Sequence, residues 1–277
     1  MTISSVLRYG EAQLASSSTP RLDAQVLLEL ATGLSKTQLM SQMHSPLKVK
    51  EEKAYEQLLN RRLQHEPIAY ITRSKQFYSY DFYVDNRVLI PRPESESLIE
   101  LTLAELLHRD GRILEIGTGS GCIAVTLKKK CPDAKICASD SSHDALEIAR
   151  KNAGIHQAEI DFRYGNLFDP WSERFDIIVA NLPYLPDDMP TQPDLEYEPS
   201  SALLGGKDGL ELYREFMPQA VKQLSSNGII AIEHLPSQFT SIQALCLELN
   251  LHAESFDRFV TKITANPQAP QRVSSRG

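Results

Sequence analysis

The chain has 277 residues, of which 42% are hydrophobic, so it has enough apolar material for a packed core and is not a disordered protein. Its formal net charge of −7 argues against an extended nucleic-acid footprint, because phosphate binding needs clustered Lys and Arg. The four cysteines form no CxxC pair, and no run of about 18 apolar residues occurs. We therefore expect a cytoplasmic protein with no metal site, no membrane span and reduced thiols.

The first third of the chain has helical periodicity. Helices are predicted over residues 4–15, 21–31 and 48–64, with a shorter helical segment that begins near residue 34. Thr19 can cap the second helix, Pro20 suits its first position, and Gly33 suits its end. The apolar stripe of that helix is formed by Leu22, Val26, Leu27 and Leu30. Two roles stay open for this region: a helical bundle that only packs on its neighbour, or a docking module for a macromolecular substrate.

The period of the sequence changes after Pro67. Residues 76–84 are rich in aromatic and β-branched residues, and residues 88–90 form a short apolar run soon afterwards. This pattern predicts a short β-hairpin that links two domains. The predicted division is a helical domain of residues 1–75, a hairpin linker of residues 76–92 and a third part of residues 93–277.

Strands and helices alternate in the third part. Strands are predicted at residues 112–117, 135–140, 160–164, 175–181, 229–234, 251–256 and 259–264. Helices are predicted at residues 96–108, 122–130, 142–153, 209–224 and 237–248. Such alternation predicts an α/β fold with a mostly parallel, Rossmann-like sheet and helices on both faces. The last two strands are close enough for a hairpin, so one should be antiparallel, and residues 266–277 are predicted to be disordered.

A glycine-rich turn follows the first strand of this sheet. Residues 117–121 read Gly-Thr-Gly-Ser-Gly, and ligands of open α/β sheets bind at the carboxyl ends of strands. Glycines allow a tight turn and close approach of a ligand. The spacing is GxGxG, whereas dinucleotide enzymes use GxGxxG, and Glu115 precedes the glycines where phosphates would be repelled. These two details favour S-adenosyl-L-methionine (AdoMet) as the cofactor.

Two further strand ends complete the predicted cofactor site. Asp140 ends the second strand, 19 residues after Gly121, where a carboxylate can accept hydrogen bonds from ribose hydroxyls. Asn166 follows the third strand and can bind an adenine amino group, while Leu167 and Phe168 can cover a face of the ring. The predicted cofactor-binding residues are Gly117, Thr118, Gly119, Ser120, Gly121, Asp140, Asn166, Leu167 and Asn181.

The fourth strand ends in the tetrapeptide Asn-Leu-Pro-Tyr, residues 181–184, called here the tip. An amide nitrogen is a poor nucleophile, but acceptors that hold both N–H groups can aim its lone pair at a methyl donor. The side-chain oxygen of Asn181 and the carbonyl of Leu182 are suitable acceptors, Pro183 stiffens the turn, and Tyr184 offers a ring for stacking. Orientation and electrostatics would supply most of the rate gain. Asn181, Pro183 and Tyr184 are the predicted catalytic residues, and all four tip residues are predicted to bind the substrate.

At these residues the chain resembles the release factor glutamine N5-methyltransferase family (PrmC/HemK). The resemblance covers nearly the whole chain and rests on segments that occur in the order of that family: residues 61–62, 67–71, 77–78, 88–94, 114–121, 181–184, 198–199 and 202–203. It implies AdoMet as methyl donor and, as acceptor, the glutamine of the Gly-Gly-Gln loop of class 1 peptide chain release factors. It also implies that the tip holds the glutamine amide and that the N-terminal helices help to dock the factor.

Three departures from the family pattern matter. The family usually has Pro where this chain has Leu182, and Asn-Leu-Pro-Tyr is also the tip of rRNA adenine N6-dimethyltransferases. An N6-adenine methyltransferase acting on RNA or DNA is therefore the alternative enzyme. A non-catalytic binding protein is disfavoured by the intact tip and glycine turn. Leu167 stands where an aromatic residue is common, and residues 257–262 lack the usual Gly-Asn-Arg stretch.

Overall fold

The computed structural model describes residues 1–106, 111–190 and 192–266. The chain forms two compact units, one of Met1–Ser74 with Thr191–Tyr197 and the other of Lys75–Pro190 with Glu198–Gly277. Each unit has its own hydrophobic core. Within the described ranges, every helix is too short or too polar to cross a membrane.

The first unit is helical. Its elements are α1 (Ile3–Gln13), α2 (Pro20–Thr32), α3 (Lys36–Ser41), α4 (Val49–Leu63) and α5 (Ile68–Thr72). Helix α5 was not predicted, because its five residues are too few to show a helical period. The core of the unit includes Val6, Leu27, Leu28, Leu39, Tyr55 and Leu59. Burial of this apolar face, rather than helix propensity, stabilises such short helices.

The face of α2 that packs in the core differs from the predicted apolar stripe. Leu27 is buried with Ala24 and Leu28, whereas Leu22 and Leu30 are 52% and 45% exposed. Of the predicted apolar stripe, Leu27 packs in the core, whereas Leu22 and Leu30 are largely exposed. Two apolar stripes lie side by side on this helix, and periodicity alone does not tell which of them faces the core.

The predicted C-terminal end of α2 is confirmed, but the predicted N-terminal cap is not. Gly33 ends the helix in the left-handed conformation, with φ of 72°. Thr19 makes no capping bond; its hydroxyl donates instead to Asp23 Oδ1 at 2.7 Å. Asp23 is buried and also accepts from Arg62 Nε at 2.9 Å. A buried carboxylate needs donors, and this requirement takes the Thr19 hydroxyl away from the helix end.

The second unit begins with a β-hairpin of β1 (Lys75–Phe77) and β2 (Tyr80–Phe82). Its two-residue turn places Tyr78 and Ser79 at φ of 48° and 68°, the left-handed values that tight hairpin turns require. Residues 88–90 are not a strand, so the prediction of extended pairing there was wrong. The N–H of Ile90 donates to Glu198 Oε2 at 2.9 Å, which takes the place of a strand partner.

A seven-stranded sheet with helices on both faces forms the rest of the second unit. The strands are β3 (Arg112–Ile116), β4 (Lys135–Asp140), β5 (Asp161–Tyr164), β6 (Phe175–Ala180), β7 (Leu224–Glu233), β8 (Leu251–Ser255) and β9 (Val260–Ala265). The helices are α6 (Glu96–Leu106), α7 (Cys122–Lys130), α8 (His143–His156), α9 (Glu211–Gln223) and α10 (Phe239–Glu248). The strand order is β5-β4-β3-β6-β7-β9-β8, and among these strands β9 alone runs opposite to the others, pairing antiparallel with both β7 and β8. The predicted fold class is confirmed; the predicted helix end at His108 and most of the predicted disordered tail lie outside the described residues.

The central strands are apolar on both faces because helices cover both sides of the sheet. In β6, Ile177 and Val179 pack into one core, while Ile178 and Ala180 pack into the core on the opposite face. The strand order reverses between β3 and β6, since β4 and β5 lie on one side of β3 and β7 lies on the far side of β6. Such a switch point leaves a crevice at the carboxyl ends of the two strands. The glycine turn follows β3, and the tip follows β6.

Candidate active site

A cavity of about 530 Å³ lies at the switch point, within the range of small-molecule sites. Both the glycine turn and the tip contribute to its wall. The predicted site residues that line it are Gly117, Thr118, Gly119, Ser120, Asp140, Asn166, Leu167, Asn181, Leu182 and Pro183. Of the predicted site residues, Gly121 and Tyr184 are not part of this wall. The cavity therefore brings most of the predicted cofactor residues and three tip residues to one place.

Backbone hydrogen bonds shape the glycine turn. The N–H of Gly117 donates to the carbonyl of Ser139 at 2.9 Å, and the N–H of Gly119 donates to Asp140 Oδ2 at 2.9 Å. Both glycines have positive φ, 74° and 54°. A Cβ built at Gly119 would meet no atom within 4 Å, so its side of the turn is open to the cavity that it lines.

Gly121 has a packing role in this turn. Its φ is 78°, and a Cβ built there would lie 3.0 Å from the Cα of Ala149 in α8. The absence of a side chain therefore lets α8 approach the start of α7. This explains why Gly121 lies behind the cavity wall, although it belongs to the same glycine motif as Gly117 and Gly119.

Asp140 ends β4 with both carboxylate oxygens held by the backbone. Oδ2 accepts from Gly119, and Oδ1 accepts the N–H of Ser142 at 2.8 Å. Burial raises the pKa of Asp140, and the backbone donors from Gly119 and Ser142 act against that rise. Each carboxylate oxygen has more than one acceptor site. The carboxylate therefore has a fixed position in the cavity wall and retains capacity to accept hydrogen bonds from a ligand.

Glu115 is buried behind the glycine turn. It accepts the Thr118 hydroxyl at 2.7 Å and the N–H of Ala124 at 3.0 Å. Burial raises the pKa of Glu115 to about 8. The side chain thus joins the turn to the first residues of α7. Across the described ranges, no group of three His, Cys, Asp or Glu side chains is arranged to hold a metal ion.

Asn166 and Leu167 line the cavity beyond β5. The carbonyl of Leu167 accepts the Ser139 hydroxyl at 3.3 Å, and Leu167 has a positive φ of 44°. Phe168 instead packs in the hydrophobic core, with its ring 5.4 Å from that of Phe216. The prediction that Phe168 covers a face of a bound ring was therefore wrong, because the core takes up this side chain.

The amide of Asn181 has one defined orientation. Its Nδ2 donates to Ser95 Oγ at 2.9 Å and to Glu233 Oε2 at 3.1 Å. Two acceptors therefore use both N–H groups of the amide. Its Oδ1 accepts no hydrogen bond from the part of the chain that the structure describes, and Asn181 lines the cavity. The amide oxygen of Asn181 is therefore without a partner in the described residues, and its role as an acceptor of a substrate N–H stays a prediction.

The backbone of Leu182 is fixed by a buried tyrosine. Its N–H donates to the hydroxyl of Tyr213 at 3.3 Å, and that hydroxyl donates to the carbonyl of Glu233 at 2.5 Å. Within the described ranges, the carbonyl of Leu182 accepts no hydrogen bond. The tip therefore has a second acceptor atom, next in the chain to Asn181.

Tyr184, the last residue of the tip, is half-buried and does not line the cavity. Its hydroxyl donates to Glu233 Oε1 at 2.9 Å, and burial together with this carboxylate raises the pKa of the phenol. Its carbonyl accepts from Gln238 Nε2 at 2.8 Å. Pro183 lines the cavity between Leu182 and Tyr184. The stacking role of the Tyr184 ring stays a prediction, since the ring is outside the cavity wall.

Three residues that hold the tip were missed from the sequence: Ser95, Tyr213 and Glu233. Glu233 had a detectable signal, because it is a charged residue at the end of an apolar strand, as Asp140 is. Ser95 and Tyr213 had none, since the first follows a proline-rich loop and the second lies on the buried face of α9.

Two loops that are joined by a buried carboxylate form another part of the cavity wall. Arg92 lines the cavity and pairs with the buried Glu198, which also binds the N–H of Ile90. Pro199 and Ala202, which follow Glu198, line the cavity too. One buried carboxylate thus joins residues 90–92 to the loop that begins at Glu198.

Family models match both parts of the chain. A model described as the PrmC N-terminal domain matches residues 5–72, and one described as the methyltransferase small domain matches residues 95–193. Among solved structures, the T. thermophilus 16S rRNA N2 G1207 methyltransferase in complex with AdoMet and guanosine has a TM-score of 0.53 and 17% identity, over 69% of this chain and 49% of that chain. This likeness concerns the fold. Together with the cavity at the switch point, these matches define a methyltransferase with a Rossmann-like sheet.

Curated relatives are more specific. The release factor glutamine methyltransferase of Neisseria gonorrhoeae is 38% identical over 85% of this chain and 88% of its own length. That of Geobacter sulfurreducens is 39% identical over 84% of each chain. The chain belongs to the release factor glutamine methyltransferase family.

Proposed function

We propose that this protein transfers a methyl group from AdoMet to the side-chain amide nitrogen, N5, of the glutamine in the Gly-Gly-Gln motif of peptide chain release factors. The observation that carries the proposal is the orientation of Asn181. Its N–H groups are used by Ser95 and Glu233, so its oxygen is available to a substrate N–H. The carbonyl of Leu182 supplies a second acceptor beside it. A primary amide has two N–H groups, which matches two acceptors.

The cavity supports AdoMet as the cofactor. Gly119 leaves open space at the turn, and Asp140 lies in the wall with its carboxylate fixed by Gly119 and Ser142. These residues suit a ribose, and Asn166 with Leu167 suits an adenine at the next strand end. When bound, AdoMet supplies a methyl group on a positively charged sulfur. The residues that would bind AdoMet line the same cavity as the tip residues Asn181, Leu182 and Pro183.

The proposed reaction does not require a strong general base from the protein. Asn181 and Leu182 hold the two N–H groups and leave the nitrogen lone pair for attack on the methyl carbon. Bound AdoMet would supply the methyl carbon, with the C–N bond forming as the C–S bond breaks, and the methylated nitrogen would lose its proton to water without a strong base from the chain. Orientation is the main contribution of the tip, with electrostatic stabilisation of the positive charge that develops on nitrogen.

We further propose that the predicted helical domain, residues 1–75, helps to dock the release factor. Support comes from the exposed apolar residues of α2, where Leu22 and Leu30 lie two turns apart. Exposed apolar side chains on one helix face suit a protein partner. We expect Leu22→Ser with Leu30→Ser to raise KM for the whole factor about tenfold while KM for a Gly-Gly-Gln peptide is unchanged. Leu247→Ser is the matched control, because Leu247 is 66% exposed on α10. Equal effects on factor and peptide would contradict the docking role.

The deciding experiment locates the methyl group. The purified protein is incubated with labelled AdoMet and either class 1 release factors or rRNA, and the product is mapped by mass spectrometry. We expect label on the glutamine of Gly-Gly-Gln, in the cytoplasmic factors that carry this motif. Label on adenine N6 instead would favour the alternative that the tip sequence leaves open. An unlabelled factor in the presence of bound AdoMet would overturn the proposal.

A further inference from the structure

Glu233 touches three of the four tip residues, directly or through one hydroxyl. Its Oε2 accepts from Asn181 at 3.1 Å, and its Oε1 accepts the Tyr184 hydroxyl at 2.9 Å. Its backbone carbonyl accepts the Tyr213 hydroxyl, which in turn accepts the N–H of Leu182. Glu233 is fully buried and lies outside the cavity wall, so it reaches a ligand only through these neighbours.

The carboxylate of Glu233 determines the orientation of the Asn181 side-chain amide. An amide side chain presents an oxygen on one side and an NH₂ on the other, and the two orientations have nearly the same shape. An ionised carboxylate accepts only, so it stabilises the orientation with Nδ2 toward β7 and Oδ1 toward the cavity. Ser95 alone does not decide this, since a hydroxyl donates as readily as it accepts.

We propose that Glu233 is a positioning residue of the methyl transfer, whose carboxylate orients the Asn181 amide and fixes the tip as an acceptor of substrate N–H groups. This rests on the proposed function, because the acceptor role of Asn181 is part of that function. Glu233 never meets the substrate. Its effect passes through the side chain of Asn181 and, for the far end of the tip, through Tyr184 and Tyr213.

The charge state of Glu233 gives the proposal a pH signature. Burial raises the pKa of Glu233 to about 7, and the hydrogen bonds from Ser95, Tyr184 and Asn181 act against that rise. The carboxylate of Glu94 raises it further. The buried Tyr213 and Cys122 also face this carboxylate, but both stay neutral because their own pKa values are raised. When Glu233 takes up a proton it becomes a donor at one oxygen, and the orientation of Asn181 is no longer enforced.

The test compares Glu233→Gln with Glu254→Gln in the full-length protein. Glu254 is an exposed residue of β8, so its replacement controls for the loss of one carboxylate. The substrates are AdoMet and a purified release factor. We expect Glu233→Gln to lower kcat about tenfold or more, with AdoMet affinity by calorimetry unchanged within about twofold. Glu254→Gln should match the wild type.

The pH profile separates positioning from a structural role. The wild-type kcat should fall as the pH drops below about 7, because Glu233 then becomes protonated. In Glu233→Gln this inflection should disappear, and the low kcat should be flat across that range. Glu233→Asp keeps the charge on a shorter side chain, so its inflection should persist at an intermediate kcat.

The outcomes divide cleanly. Wild-type protein that binds AdoMet but methylates no release factor would remove the proposed function and leave nothing for Glu233 to position. An active wild type with an equally active Glu233→Gln variant, or with the same pH inflection in that variant, would overturn the role of Glu233 alone. A Glu233→Gln variant that loses kcat only in proportion to its loss of thermal stability would likewise assign the residue to folding.

Discussion

The glycine turn and the tip face the same cavity but are fixed in different ways. The turn is held by the chain next to it and by the neighbouring strand β4, through bonds from Gly117 and Gly119 to Ser139 and Asp140. The tip is held by side chains from other elements: Ser95 before α6, Tyr213 on α9 and Glu233 at the end of β7. Backbone conformation therefore sets the first wall, and tertiary side-chain contacts set the second.

This difference predicts how each wall fails. A change in the turn should act through backbone strain or through ligand binding, because backbone N–H groups of Gly117 and Gly119 are the donors that hold it. A change around the tip should act through orientation, because its acceptor atoms depend on donors and acceptors more than 30 residues away in sequence. Four substitutions separate the two modes.

The largest effect is expected at the tip. Asn181→Ala removes the side-chain acceptor, and kcat should fall about 10²–10³-fold, as it does when comparable preorganised polar groups are lost. AdoMet binding should change less, since the glycine turn and Asp140 remain. Steady-state kinetics with a release factor measure this. Near-wild-type kcat would remove Asn181 from the mechanism.

The next effect is expected at the turn. Gly121→Ala places a Cβ in the left-handed region and 3.0 Å from the Cα of Ala149. We expect a loss of about 2–4 kcal/mol in the free energy of unfolding, from strain and overpacking together. Gly33→Ala is the matched control, because Gly33 also has positive φ but has nothing within 4 Å of its Cβ position. It should lose only about 1–2 kcal/mol. Denaturant titration of both variants checks this, and equal losses would show that close packing at Gly121 is unimportant.

Asp140→Ala should weaken AdoMet binding about tenfold or more, because a charged hydrogen-bond acceptor contributes about 1.5–3 kcal/mol. The release-factor KM should stay the same, since the tip is not altered. Isothermal calorimetry reads the first quantity and kinetics reads the second. Unchanged AdoMet affinity would displace Asp140 from the cofactor site.

The smallest effect concerns Leu182 and Tyr213. Tyr213→Phe removes the acceptor of the Leu182 N–H, and kcat should fall about fivefold, equivalent to about 1 kcal/mol. Leu182→Pro has no N–H to lose, so Tyr213→Phe should change kcat much less in that background. The coupling of the two changes is measured by a double-mutant cycle. Additive effects would show that the hydroxyl acts only through the carbonyl of Glu233.

The cavity wall formed by the glycine turn could be predicted from the sequence for a physical reason. Its bonds are local or follow from strand adjacency, so the spacing of Gly117, Gly119 and Gly121 and the position of Asp140 carried the information. The strands were also readable, because β3, β6 and β7 are continuous apolar runs of a doubly covered sheet.

The cavity wall formed by the tip could be predicted from the sequence only in part. Asn181 and Leu182 stood out at a strand end, but the orientation of the Asn181 amide depends on Glu233 and Ser95, which only the fold brings near. The same limit applies to α2, where Leu22 and Leu30 of the predicted stripe are exposed, and to Phe168, whose ring packs in the core. Periodicity reports a face but does not report which neighbour covers it.

The side chain of Leu182 also has a consequence for the spacing of the two walls. Its Cδ2 lies 3.0 Å from the position of a Cβ at Gly117, so the two walls touch at this point. In a direct methyl transfer between two bound molecules, the protein must fix the distance between the donor atom and the acceptor atom. Leu182 is the side chain at this contact, so we expect a bulkier residue at either position to push the two walls apart.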